Sequence, residues 1–339
     1  MVEESPAQIV NRLVEFQRKI RAQVIRSRAT AGLAAVKRTT AADTIYELDA
    51  QIDPLVEEFF TQWGKTTPLV LVAEGLHDCE GREGPVVFPR GLDESQARLR
   101  IIVDPIDGTR GLMYDKRSAW SLAAVAPNKG DGTRLRDAFV SVMTELPTSK
   151  LGFADVLSAF KGDGVKAHRV DLRNDSRQPL AVSPSEARTI DHGFATISNF
   201  FPGTKVLASE LMEHLVLNLV GPADVTQGTV FDDQYISTGG QFYELIVGHD
   251  RFNADLRPIF YQILNTPAGL CCHPYDCAGW LIAEEAGVIL TDGCGNPLNG
   301  PMDTTTGLSW AGYANANLRR AIEPVLMAFL SRVGTAHRI

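Results

Sequence analysis

Val103-Asp104-Pro105-Ile106-Asp107-Gly108-Thr109 closes an apolar run, Ile101 to Val103, with two carboxylates three residues apart, a proline between them and a glycine directly after. An apolar run ending in acids and turn residues reads as a strand that delivers its acids to its end. Proline and glycine in these places predict a tight bend that turns Asp104 and Asp107 toward one point, with the Ile106 carbonyl between them. Carboxylate oxygens, a backbone oxygen and water are what a hard divalent cation such as Mg2+ binds. A solvated Asp-rich turn has the same spelling, so other acids must converge on this one before the chemistry is earned. Gly108 lets backbone N–H groups approach an anion closely, and a helix starting there would aim its positive end at it. The Thr109 hydroxyl either orients a water or caps the turn.

Three further acids stand where they can join. A second apolar run, Leu69 to Val72, is followed by Glu74 and Gly75. Ile45, Leu48, Ile52, Leu55, Val56 and Phe59 draw one helical stripe. Asp49 lies on that stripe, so it must be buried, paired or metal-bound. Asp276 precedes a helical pattern from Cys277 to Ala286 that Gly287 stops, where an N-cap role is the ordinary explanation.

The rest of the chain sets these acids in order. Ser5, Pro6 and Gln8 spell a helix start for the apolar positions Val10, Leu13, Val14, Ile20 and Val24. Strand-like runs recur at Ser121 to Val125, Phe139 to Met143 and Phe194 to Ser198, with a helix from Ser209 to Val220, a strand from Val288 to Thr291, and a last helix from Asn315 to Val333 closed by Gly334. Asn128 to Ser185, rich in Gly, Asp, Lys and Pro, reads as a loop-rich connection between two halves. Helices first, then grouped strands, then mixed elements predict layered α+β packing. We divide it into an N-terminal α+β part, 1–180, carrying most candidate ligands, and a C-terminal α/β part, 181–339, supplying Asp276 and substrate contacts.

Composition narrows the function. The chain has 339 residues, 44% of them hydrophobic, and a formal charge of -8, which opposes a grip on nucleic acid. No apolar stretch approaches the ~18 residues of a membrane span, and the first residues lack the pattern of a secretion signal. Five cysteines, odd in number and mostly clustered, do not form a disulfide framework and predict a reducing cytoplasm.

Taken together, the motifs resemble the inositol monophosphatase superfamily, which includes fructose-1,6-bisphosphatases and 3'(2'),5'-bisphosphate nucleotidases. Asp104-Pro105-Ile106-Asp107-Gly108-Thr109 stands as its DP(I/L)DGT motif, and Tyr275-Asp276-Cys277-Ala278-Gly279 is similar to its WDxAAG motif. Glu74 and Asp49 fall where the family has a GEE glutamate and a T-x-x-D aspartate. The resemblance implies an αβαβα sandwich of the sugar phosphatase type and a lithium-sensitive phosphatase, in a homodimer, acting on an inositol or related sugar phosphate. It implies two or three Mg2+ ions held by Glu74, Asp104, the Ile106 carbonyl, Asp107 and Asp276, with Asp49 on a weaker ion, and Thr109 and Glu74 positioning the attacking water. Asp107, Gly108, Thr109, Arg110, Arg257 and Asp276 would contact substrate.

The sequence departs from the pattern at Ala73 and Gly75, which replace the residues flanking the family's first glutamate, and at Arg110, which is closer to the bisphosphate nucleotidases. Residues 249–273 hold about twenty extra residues by comparison. Their Arg251, Arg257, His273, Phe252, Phe260 and Tyr261 are expected to govern substrate choice. Two readings of other classes compete: a zinc module on Cys271, Cys272, His273 and Cys277, for which adjacent cysteines suit a tetrahedral site poorly, and a catalytically silent protein of the same fold.

Overall fold

A computed structural model describes residues 4–27, 36–39, 44–76, 84–222 and 226–336. Helix α1 (Pro6–Ser27) opens with the predicted cap, the Ser5 backbone N–H donating to Gln8 Oε1 at 2.8 Å. Its Leu13, Phe16 and Ile20 are fully buried, each contributing roughly 1.5–3 kcal/mol. After the hairpin β1 (Val36–Thr39) and β2 (Thr44–Tyr46) come α2 (Glu47–Ala50) and α3 (Asp53–Gly64). The single helix predicted over 45–59 is therefore the end of a strand, at Ile45 and Tyr46, and then two helices with a break at 51–52. Pro54 is the reason: it has no N–H to donate to a carbonyl of the preceding turn, and it fits the first turn of a new helix.

The larger sheet has strands β3 (Leu69–Ala73), β4 (Val86–Phe88), β5 (Leu99–Asp107), β6 (Ala119–Pro127), β7 (Val140–Leu146), β8 (Phe153–Phe160), β9 (Val165–Asp171) and β10 (Arg177–Pro179). Their order across it is β10-β9-β8-β7-β6-β5-β3-β4, antiparallel except for the β3/β5 pair. The loop-rich connection expected over 128–185 is thus mostly an antiparallel meander. The turn residues there mark hairpins, and β8 is apolar and buried at Ala154, Val156, Leu157 and Ala159.

Helix α4 (Thr109–Met113) follows β5 directly. The smaller sheet has β11 (Gly193–Ile197), β12 (Val230–Phe231), β13 (Asp250–Asp255), β14 (Ile289–Asp292) and β15 (Trp310–Tyr313), in the order β12-β11-β13-β15-β14. Helices α5 (Lys205–Leu219), α6 (Thr238–Ile246), α7 (Arg257–Ile263), α8 (Trp280–Ala286) and α9 (Ala316–Ala336) complete the chain. Helix α9 runs through Gly334 instead of stopping there.

The layers are α1 and α3 on the outer face of the larger sheet, α6 and α8 between the sheets, and α5 with α9 outside the smaller one. This is an α+β sandwich in five layers. Residues 250–255 are the middle strand of the smaller sheet, with Phe252 fully buried. The extra length over 249–273 is therefore partly core. No helix among the described residues is long and apolar enough to cross a membrane.

Candidate metal and phosphate site

The β5 strand carries on to Asp107 where a bend was expected. Asp104 still pairs with Leu122 of β6 and Asp107 with Trp120, and the ladder slips between them. Pro105 cannot donate to the ladder, so the slip is where a bulge costs least, and a bulge re-aims side chains. Asp104 Oδ1 accepts from the Ile106 N–H at 3.0 Å.

Asp107 is held by the start of α6. It accepts from Ser237 Oγ at 2.9 Å, the Thr238 N–H at 3.2 Å and the Gly239 N–H at 2.5 Å, while Ser237 caps the helix through Gly240. The positive end of the helix favours the ionised acid. A side chain at Gly239 would bring its Cβ 2.6 Å from the end of Leu122 and 3.0 Å from Asp107 Oδ2, so any larger residue there would displace Leu122 and crowd the Asp107 carboxylate. Gly108 is required for two reasons: its φ is +99°, and a Cβ would sit 3.0 Å from Ser237 Cβ.

The other acids arrive from separate elements. Glu74 follows β3, and Asp49 comes from α2, where its Oδ1 lies 2.9 Å from Thr109 Oγ1. The same hydroxyl is 2.9 Å from the Ile106 carbonyl oxygen. Asp276 does not cap a helix at Cys277, because α8 begins only at Trp280. It stands in the preceding turn, where its Oδ2 accepts from the His273 N–H at 2.6 Å. The Tyr275 hydroxyl lies 3.2 Å from His273 Nδ1, with the two rings stacked.

All ten residues singled out by number from the motifs and their flanks line one cleft: Asp49, Glu74, Asp104, Ile106, Asp107, Gly108, Thr109, Arg110, Arg257 and Asp276. Oxygens of Asp104, Asp107 and Asp276 lie within 4.8 Å of one another. Burial, then the charges of Asp107, Asp276 and Glu74, hold Asp104 well above the usual carboxylate range. Burial pushes Asp107 up to about 7, against the lowering effect of its donors from α6. Among the described residues neither forms an ion pair with a lysine or arginine. An all-oxygen donor set with raised proton affinity fits a hard divalent cation, which would take the place of the protons.

Cationic and aromatic side chains line the same cleft. Arg110 lies over the Phe201 ring at 5.1 Å and Arg257 over Phe200 at 4.7 Å. Arg257 is also bound by Asp255 and donates to the Leu270 carbonyl at 3.0 Å. Of the other residues expected to govern substrate choice, His273 lines the cleft. Arg251 is committed instead to the carbonyls of Thr189, Asp191 and His192, Phe252 and Phe260 are buried in the core, and Tyr261 donates to Leu270.

Sequence reasoning missed Ser237, Thr238, Phe200 and Phe201. The first two were legible: a hydroxyl before Thr-Gly-Gly, then an apolar helical pattern through Phe242, Leu245 and Ile246, spells an N-cap. No periodicity marks the phenylalanines. The zinc reading does not fit. Among the described residues the His, Cys, Asp and Glu ligand atoms converge only at Asp104, Asp107 and Asp276, and the Cys272 and Cys277 thiols face each other at 3.3 Å instead of meeting Cys271 and His273 at a tetrahedral point. The fifth cysteine, Cys79, lies outside the described residues.

No protein-family model matches this sequence, and no curated protein matches it. Solved structures do match in fold. Leishmania major fructose-1,6-bisphosphatase in its holo form superposes with a TM-score of 0.67 at 14% identity, covering 98% of this chain and 96% of that one. A hypothetical protein from Pyrococcus horikoshii, described as similar to inositol-1 monophosphatase, gives 0.63 at 14% identity over 95% and 98%. The extragenic suppressor protein SuhB of Bartonella henselae gives 0.62 at 16% over 94% and 98%.

Proposed function

We propose that this chain, which has the fold of the inositol monophosphatase superfamily, is a Mg2+-dependent phosphomonoesterase acting on a small phosphorylated metabolite through direct attack of water. One observation carries the reading: Asp104, Asp107 and Asp276 point oxygens at one place, within 4.8 Å of one another, in a cleft that buries the first two without a basic partner. When bound there, divalent ions supply a lowered pKa for the attacking water and charge compensation for the leaving oxygen.

Asp104, Asp107, Asp276, Glu74 and the Ile106 carbonyl would hold two ions, and Asp49 would assist a third. Thr109, whose hydroxyl is within reach of both Asp49 and Ile106, keeps a lone pair to accept from the attacking water, and Glu74 would take its proton. Backbone donors at the 108–110 turn, with Arg110, would hold the phosphoryl oxygens in line. Nothing in this scheme requires a covalent intermediate. We place the enzyme in the cytoplasm as a lithium-sensitive homodimer.

The polar floor suits an inositol or sugar phosphate. A second reading, a nucleotide 3'-phosphate, is favoured by one observation: Phe200 and Phe201, with ring centroids 5.1 Å apart, line the same cleft and offer an aromatic face to a base. Phosphate release from inositol 1-phosphate, fructose 1,6-bisphosphate, adenosine 3',5'-bisphosphate and an aryl phosphate, each with Mg2+, with Mg2+ plus Li+ and with chelator, tests both readings. Mg2+-dependent release from one of the first two supports the primary reading. Preference for the third shifts the assignment to the nucleotide, and release from none rejects the enzyme.

A further inference from the structure

A second concavity, which shares no residue with the acidic cleft, lies between α1 and strands β7 to β10. Its volume is about 250 Å3, and Val14, Val156 and Val170 form its apolar part. Arg21 of α1 lines it, is only 5% exposed, and has an Nη1 that meets no hydrogen-bond partner among the described residues. A guanidinium keeps its charge at every physiological pH and carries five N–H donors, so folding normally buries one only against an acid or carbonyl oxygens.

The surrounding charges do not fill that need. Arg18 is turned to Glu15, with two contacts at 2.9 and 3.0 Å. Asp175 lines the same cavity and is felt by Arg21, but forms no ion pair with it among the described residues. Arg177 and His168, both lining the cavity, come from the facing strands, and Arg177 adds like charge. Burial, with repulsion from Arg18 and Arg177, lowers the pKa of Arg21 against the opposing pull of Asp175 and Glu145.

We infer that this cavity is a binding site for a small oxyanion, a phosphoryl or carboxylate group on a compact molecule, with Arg21 as the buried anchor and Arg177 reaching it from the exposed edge. The planar guanidinium fork matches both groups with paired hydrogen bonds. The valines limit the remainder of the ligand to a short apolar stem. The site is independent of the proposed hydrolysis, because none of its residues touches the acidic cleft.

The test uses the full chain stripped of metal, so that the acidic cleft repels anions. Inorganic phosphate and malonate are titrated separately, with melting temperature and calorimetry as readouts, on the wild type, Arg21→Met, Arg177→Ala and Asp104→Asn. The expected result is saturable binding of at least one anion, and which one binds tells a phosphoryl from a carboxylate ligand. Affinity should fall by ~10-fold or more in Arg21→Met, fall less in Arg177→Ala and persist in Asp104→Asn. In anion-free buffer Arg21→Met should melt no lower than the wild type, since it removes an unpaired buried charge; a packing role for Arg21 predicts a lower melting point. Should Arg21→Met fail to fold, Arg177→Ala decides. The inference is overturned if neither anion binds, if binding is undiminished in Arg177→Ala, or if it strengthens in Asp104→Asn, which would place the anion in the acidic cleft.

Discussion

Buried carboxylates are treated in two ways in this molecule. Asp155 and Asp255, 2% and 1% exposed, are each gripped by a guanidinium through two hydrogen bonds, from Arg169 at 2.7 and 2.8 Å and from Arg257 at 2.9 and 2.5 Å. Tyr243 adds a third donor to Asp155. Asp104 and Asp107, each 5% exposed, have only amide and hydroxyl donors and stand beside further acids. Two acids left without a cation from the chain itself, at the point where strand β5 meets α6, converge with Asp276 into a group that could hold a cation from outside. At Asp155 and Asp255 the fold supplies its own, whereas Asp250, also buried without an ion pair among the described residues, accepts from Asn253 and stands outside any converging group of acids.

If that contrast is right, removing an acid has opposite consequences in the two places. Asp255→Ala strands a buried guanidinium and should cost about 3–5 kcal/mol in denaturant unfolding. Asp104→Asn should raise the stability of the metal-free protein, since it relieves repulsion at nearly constant volume. A loss of stability in Asp104→Asn comparable to that of Asp255→Ala would erase the distinction.

Asp107→Asn should lower phosphate release by ~100-fold or more at saturating Mg2+ while the folded structure, followed by circular dichroism, persists. Near-normal turnover would mean that Asp107 is only a cap acceptor for α6.

The same contrast has a pH signature. The folded-state pKa of Asp107, about 7, lies above its ordinary 3.8. Its contribution to the stability of the metal-free protein is therefore fully present below about pH 4 and is lost as pH rises toward 7. Melting temperature in chelator should decline between pH 5 and 7.5. Saturating Mg2+ should remove or reverse that decline, because ions compete with protons for the same oxygens. A profile unaffected by Mg2+ would contradict the assignment.

The smallest effect is expected at Asp49, which touches Thr109 from a separate helix. Asp49→Asn should move the Mg2+ dependence of activity to higher concentration by a few fold, roughly the ~1 kcal/mol of one hydrogen-bonded contact. A lower melting temperature with unchanged Mg2+ dependence would make it a purely structural pair.

What could be read from the sequence depended on whether the deciding contact was local. The delivery of Asp104, Asp107 and Glu74 by strands was legible because apolar runs ending in acids are written over a few residues. The break before α3 was legible too, through Pro54, but was overridden by the periodicity on either side. The meander after β6 was hidden by a different cause. Asp155 reads as a polar interruption of β8, yet it is the direct cross-strand partner of Arg169 on β9, and the ion pair that makes it tolerable exists only once the strands align. Likewise Asp276 reads as a helix cap until α8 is seen to begin four residues later, and Phe200 and Phe201 reach the cleft through a loop with no pattern to announce it.

Calorimetric titration of Mg2+ into the metal-stripped protein at pH 6.5, run in two buffers of different ionisation enthalpy and repeated on Asp104→Asn, tests the central claim most directly. Saturable binding with release of protons to the buffer is the predicted result, with weaker binding and fewer protons released in Asp104→Asn. No saturable heat, or binding of the same strength and proton count in the variant, would contradict it.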